Sequence, residues 1–364
     1  MRRSGYILTT VFAALALLAG TTALLASVHE RLRVSRLSKH LQQAEALAAA
    51  RNLDGSITEY HAALALERDN DAARRGLALT LLSLERWSEA ESYLRDLLRE
   101  EPTDGVLNRA LARIQAGRGE QGEARRAYQR AIHGQWAAAP VDDRIATRFE
   151  LIEYLRRIAE REEVVAELLT LKAELPPGQI AAARRVASLL AESGEIAPAV
   201  DVLSASLATA PRDTELLVHL ATLQANAGRM LEARSTLRRA SALEPRRVDI
   251  AERLAILNHV LALDPTLAGL RLATRVNRAR LLLAEVLEQT RACEEDYVSD
   301  VARERTNAER RMRRRAPITA ETADQEIALA ARLWKAAPAC QGSTAEAHAI
   351  TQVLQRVESS AHPS

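Results

Sequence analysis

The chain has 364 residues, of which 48% are hydrophobic and only 3% aromatic. Alanine, leucine, arginine and glutamate dominate, and because these are strong helix formers the composition favours an all-α protein and argues against a sheet. The formal net charge of +2 gives no general attraction to nucleic acid.

An uncharged apolar stretch, residues 6–28, stands near the N-terminus and follows Arg2 and Arg3. It is long enough for the roughly 20 apolar residues of a membrane helix. It exceeds the apolar core of a secretory signal and lacks a clear A-x-A site, so we predict an uncleaved anchor over residues 1–28; a cleaved signal is the alternative. A basic connector, residues 29–36, follows.

The expected location is a single pass through the inner (cytoplasmic) membrane. Basic residues flank residues 6–28 on both sides, so the positive-inside rule nearly cancels. The arginine pair at the start favours an exported, periplasmic body, and the two cysteines agree with an oxidising compartment. A cytoplasmic body is the alternative.

Residues 71–104 form the reference unit of the chain and are predicted to be a pair of helices joined by a polar turn. Apolar residues recur at helical spacing on both sides of the turn, and Pro102 ends the unit. The second-helix alanine of this unit, Ala90, is followed about 34 residues later by Ala124, and Ala199 is followed by Ala233 at the same spacing. Small residues at these positions allow two helices to approach closely.

This pattern resembles the tetratricopeptide repeat family, and more narrowly its membrane-anchored bacterial members. The small residue that the family places in each first helix falls on Ala44, Ala78, Ala112, Ala187 and Ala221, and its terminal proline falls on Pro102, Pro211 and Pro245. The resemblance implies a right-handed superhelical α-solenoid that binds other proteins on its concave face.

The repeat register divides the chain into segments. We expect repeats over residues 37–138, a degenerate helix pair over 139–179 and further repeats over 180–247. Because a stack of repeats must close its last apolar face, capping helices are expected over 248–292, followed by a charged helix and two short helices over 293–364.

The resemblance also indicates which side chains would line the concave face. The arginines among them could bind the carboxylates of a partner, or they could simply be the solvated face of amphipathic helices. The asparagines with which some family members clamp a terminal carboxylate are missing from the matching positions. The candidates are Arg75, Leu79, Arg109, Arg113, Arg184, Ser188, His219, Thr222 and Asn226.

Two further features are candidate sites. Cys293 and Cys340 are either a disulfide or two structural thiols. A basic patch could bind anionic lipid, although a solvated helix is the simpler interpretation; without interleaved aromatics it does not indicate nucleic acid binding. The patch comprises Arg310, Arg311, Arg313, Arg314 and Arg315.

No catalytic motif, phosphate-binding loop or metal-ligand cluster occurs in the sequence, so we expect no enzyme activity, no cofactor and no metal. The hypothesis is therefore a membrane-anchored scaffold that binds a peptide segment or subunit and assembles an envelope complex. The alternative is a regulatory or docking subunit for an enzyme of envelope polysaccharide or lipopolysaccharide synthesis.

Overall fold

The computed structural model describes residues 2–137, 139–291, 299–313, 317–338, 341 and 344–361. Within these residues the regular structure consists of helices, and the expectation of an all-α protein is confirmed. The chain divides into two compact units, residues 1–167 and 168–364.

The helices of the first unit form consecutive pairs: α1 packs on α2, α3 on α4 and α5 on α6, and each pair also contacts the next. The eighth helix extends across the boundary between the units. The bounds are α1 Arg2–Ala49, α2 Leu53–Leu66, α3 Asp71–Ser83, α4 Trp87–Glu100, α5 Gly105–Gly117, α6 Gln121–Ile132, α7 Pro140–Arg157 and α8 Arg161–Glu174.

The second unit begins with two further pairs, α9 on α10 and α11 on α12. The bounds are α9 Ile180–Glu192, α10 Ile196–Thr209, α11 Thr214–Asn226, α12 Met230–Leu243, α13 Val248–Leu263, α14 Leu272–Arg291, α15 Ser299–Arg313, α16 Ala320–Ala336 and α17 Ala345–Ala361.

The start of several first helices is fixed by a short polar side chain at one repeat position. Asn70, Asp104 and Asp213 accept hydrogen bonds from the backbone N–H groups of Ala73, Leu107 and Leu216 at 2.8 to 3.0 Å. Such caps satisfy an N–H group that the first turn of a helix leaves unpaired.

The small residues predicted at the helix crossings are buried. In the reference unit Ala78 and Ala90 have no exposed surface, and the corresponding alanines of the other repeats are at most 1% exposed. Because an alanine at a crossing lets the backbones approach closely, these positions hold the two helices of each pair together.

The turn between the two helices of a pair uses a left-handed residue at a constant position. Arg51, Glu85 and Gly119 have φ between 58° and 75° and lie 34 residues apart, and Gly194 and Gly228 repeat this spacing. In the degenerate pair α7–α8, Ala159 takes the same conformation with φ 61°. That pair therefore keeps the repeat turn, although the sequence has no glycine there.

The irregular spacing of the first unit arises in the connection between α6 and α7. Gln135 donates its N–H to Thr103 O at 2.7 Å and accepts from Gly105 N at 2.8 Å. These bonds fold the longer connection back onto the start of α5. Trp136 then covers Gly105, where a Cβ atom would lie only 2.3 Å from the indole ring.

The N-terminal helix α1 is continuous, so the segment predicted as a basic connector, residues 29–36, is helical. Most side chains of the predicted anchor, residues 6–28, lie outside the described residues. Within the part of the chain that the structure describes, none of the helices combines the length and the apolar character that crossing a bilayer demands.

The C-terminal helices close the second unit in an order that differs from the order of the chain. The helix α14 packs mainly on α16, whereas α17 packs on α13. The last first-type helix, α13, is therefore covered chiefly by the C-terminal helix and less by its neighbour in sequence.

Candidate functional site

The candidate arginines of the first unit bind carboxylates of the same chain. Arg75 donates from Nη1 to Asp104 Oδ2 at 2.5 Å and from Nη2 to Glu101 Oε2 at 2.7 Å. Both acids lie at the connection that leads into the next pair of helices. Arg75 thus joins consecutive repeats, while Leu79 beside it is half-buried.

The next two arginines are engaged in the same way. Arg113 forms a two-point contact with Glu150 of α7, with Nε to Oε2 at 2.9 Å and Nη2 to Oε1 at 2.5 Å. Arg109 lies 3.6 Å from Asp143 and places its guanidinium 5.2 Å from the centre of the Trp136 ring. The predicted fork onto carboxylates is present, but the carboxylates come from the neighbouring helix of this chain.

In the second unit the remaining candidates lie along α9 and α11. Arg184 is exposed and lies 4.0 Å from Glu215, and Ser188 is half-buried. His219 is also half-buried, and burial together with the positive charge of Arg184 lowers its pKa from the ordinary 6.5.

Thr222 and Asn226 line an open cleft of about 400 Å³ between α11 and α13, which we call the α11–α13 cleft. Its floor is apolar and includes Leu237 and Leu257, each only 5% exposed. The rest of the lining is formed by Ala221, Ala225, Asp249, Glu252, Arg253, Ile256 and Gln352.

The charged groups around the cleft differ in how they are compensated. Asp249 binds Arg247, with Oδ2 2.7 Å from Nη2. Arg253 donates to the Thr222 hydroxyl oxygen at 3.3 Å across the cleft. Glu252 has no hydrogen bond or ion pair within the described residues.

Sequence reasoning missed the α13 side of this cleft. Extending the repeat register by 34 residues would have found it, because Thr222 then corresponds to Ile256 and Val218 to Glu252. Gln352 could not be found in this way, since it arrives on α17 from a distant part of the sequence.

The sequence profile of the tetratricopeptide repeat family matches residues 47–114, which include α3, α4 and most of α5. Residues 47–114 are tetratricopeptide repeats. Proteins of this repeat family are generally non-catalytic scaffolds that bind other proteins or peptides. No curated protein matches the chain.

Several solved structures of repeat proteins are similar to this chain. PilF of Pseudomonas aeruginosa is 15% identical with a TM-score of 0.39, covering 61% of this chain and 98% of its own. PilW, a type IV pilus biogenesis factor, is 14% identical with a TM-score of 0.37 and covers 60% and 98%. The tetratricopeptide repeat domain of P58(IPK) is 15% identical with a TM-score of 0.28 and covers 90% and 99%.

The other predicted sites are only partly described. Cys293, Cys340, Arg314 and Arg315 lie outside the described residues. The other three arginines of the basic patch, Arg310, Arg311 and Arg313, are exposed in the last turn of α15, and Arg311 donates to Gln325.

Proposed function

We propose that this tetratricopeptide repeat chain is a non-catalytic scaffold that binds a segment of a partner protein in the α11–α13 cleft. The observation that carries the proposal is the contrast between the two units. The candidate arginines of the first unit are neutralised by carboxylates of the same chain, whereas the α11–α13 cleft leaves an apolar floor and charged rim groups open.

The size and lining of the cleft suit a side chain of a partner. A volume of about 400 Å³ lies within the range of sites that enclose small ligands. Burying one leucine or phenylalanine side chain on the apolar floor contributes about 1.5–3 kcal/mol. The polar groups of the rim then fix the orientation of the bound segment.

A cleft-filling variant tests this proposal. Ala225 lines the cleft, and Ala251 lies exposed on α13 outside it. The partner is first identified by photo-crosslinking from position 352 and is then purified. Its affinity should fall at least tenfold for Ala225→Phe and stay unchanged for Ala251→Phe. Equal affinity for both variants would contradict the proposal.

The proposal extends to the cell envelope. We propose that residues 6–28 anchor the chain in the inner membrane, that the repeats form a right-handed superhelix with an exported body, and that partner binding assembles an envelope complex. The uncharged run of residues 6–28 supports an anchor.

Topology tests the envelope part separately. A reporter joined after Ser364 should be active in the periplasm, and the chain should stay with the membrane after carbonate extraction. A cytoplasmic signal would contradict export and would favour docking to an enzyme of envelope polysaccharide or lipopolysaccharide synthesis.

A further inference from the structure

The repeat position that lies over the concave face changes its charge along the chain. Arg75, Arg109 and Arg184 occupy it in earlier repeats, and Val218 and then Glu252 occupy it in α11 and α13. The carboxylate of Glu252 opens onto the α11–α13 cleft without an ion-pair partner in the described residues. The cleft therefore presents an anion where the other end of the repeat array has cations.

Arg253 supplies a positive charge to the same cleft. Its Nη1 atom donates to the Thr222 hydroxyl oxygen at 3.3 Å, and that hydroxyl donates onward to Val218 O at 2.9 Å. A neutral hydroxyl orients the guanidinium toward α11 but leaves its charge uncompensated. Within the described chain, no carboxylate forms an ion pair with Arg253.

The two charges diverge around the apolar floor. Successive residues of an α-helix point about 100° apart, because the helix has about 3.6 residues per turn. Glu252 and Arg253 both line the cleft, and Arg253 extends to the α11 side. The floor at Leu237 and Leu257 is thus accompanied by an anion and a cation that point in different directions.

We propose that the α11–α13 cleft selects a partner segment in which an apolar side chain is flanked by an acidic residue, which pairs with Arg253, and a basic residue, which pairs with Glu252. This inference rests on the proposed function and adds the chemistry of the partner. Because the two charges are of opposite sign, the order of acidic and basic residues in the segment determines the direction in which it binds.

Peptide selection on a charge-swapped chain tests the inference. The probe is a display library of random 12-residue peptides, selected on the full chain in detergent and on Glu252→Arg/Arg253→Glu, which keeps the net charge. Peptides recovered on the original chain should carry an apolar residue between one acidic and one basic residue. Those recovered on the swapped chain should carry the two charges in reverse order.

The single variants Glu252→Gln and Arg253→Gln provide a second measurement should the swapped chain fold poorly. For one selected peptide, each variant should weaken binding by about two- to fivefold, as expected for loss of one exposed ion pair. The dependence of affinity on salt should decrease as well. Unchanged affinity in both variants would overturn the inference.

A third variant separates this inference from the proposed function. If peptides bind the chain but not Ala225→Phe, and yet show no charge pattern or the same pattern on the swapped chain, the charge inference fails and the cleft remains a binding site. If no peptide depends on Ala225, the proposed function itself fails. Self-association that Ala225→Phe abolishes would identify a second copy as the occupant and would also overturn the inference.

Discussion

Arg356 of the C-terminal helix donates from Nε to Asp264 Oδ2 at 2.9 Å, joining residues that are 92 positions apart. Asp264 is completely buried at the end of α13, and its other carboxylate oxygen accepts hydrogen bonds from the backbone and hydroxyl of Thr266 at 2.7 and 2.6 Å. The contact holds α17 against α13, and therefore holds Gln352 at the edge of the α11–α13 cleft.

Removing Arg356 should release this helix. In Arg356→Ala the buried carboxylate of Asp264 keeps its Thr266 bonds but loses its cation, and we expect a loss of about 2–3 kcal/mol, somewhat below the cost of breaking a fully buried pair because Arg356 is partly exposed. Urea unfolding measures the loss, and hydrogen exchange should show faster exchange in α17. Arg246→Ala is the control, since Arg246 is exposed and forms no ion pair within the described residues. Equal effects of the two variants would contradict the assigned role.

The close crossing of α3 and α4 should not tolerate a larger residue. Ala78 has no exposed surface, whereas Ala72 is exposed on the same helix. Ala78→Leu should lower the free energy of unfolding by about 1–3 kcal/mol because the added atoms overpack the crossing. Ala72→Leu should change it by less than about 0.5 kcal/mol. Thermal and urea unfolding of both variants decide the matter, and a neutral Ala78→Leu would show that this alanine does not determine the packing.

The features that could be predicted from the sequence are those whose cause lies within one repeat. Alanine at the crossings recurs at a fixed spacing, so the burial of Ala78 and Ala90 follows from the repeat pattern alone. The positions of Thr222 and Asn226 on the cleft follow from the same register.

Contacts between repeats could not be predicted in the same way. Arg113 has the sequence pattern of a free groove cation, because its partner Glu150 lies 37 residues away in a segment of altered spacing. The fold-back of Trp136 depends on two backbone hydrogen bonds between loops. The docking of α17 on α13 has no periodic signal, since no repeat links Arg356 to Asp264.

Gly76 illustrates a residue whose role helix propensity alone would misjudge. Glycine inside a helix usually costs about 1 kcal/mol relative to alanine. A Cβ at Gly76, however, would lie 2.2 Å from the ring of Tyr60, which is 4% exposed. We therefore expect Gly76→Ala to destabilise the chain by about 1–3 kcal/mol.

The sign of this effect should depend on Tyr60. In a Tyr60→Ala background the ring is gone, and Gly76→Ala should then stabilise by about 0.5–1 kcal/mol. A double-mutant cycle from urea unfolding measures the coupling. If Gly76→Ala has the same effect in both backgrounds, close approach to the tyrosine is not the reason for the glycine.

His219 should respond to removal of a neighbouring arginine. Its pKa lies below 6.5 because of burial first and the charge of Arg184 second. Arg184→Ala should therefore raise the pKa of His219, although burial keeps it below 6.5. Titration of the His219 imidazole by NMR measures the change. Arg185→Ala is the matched control, since Arg185 is not a cause of the shift.

The same shift has a consequence for stability. A histidine whose pKa is lower in the folded state binds more protons when unfolded, so stability rises with pH through the interval between the folded pKa and 6.5 and is lost below it. Arg184→Ala should narrow that interval and reduce the loss of stability on acidification. Urea unfolding at pH values from about 4.5 to 7.5 tests this, compared with Arg185→Ala. Identical pH profiles for the two variants would show that Arg184 does not act on His219.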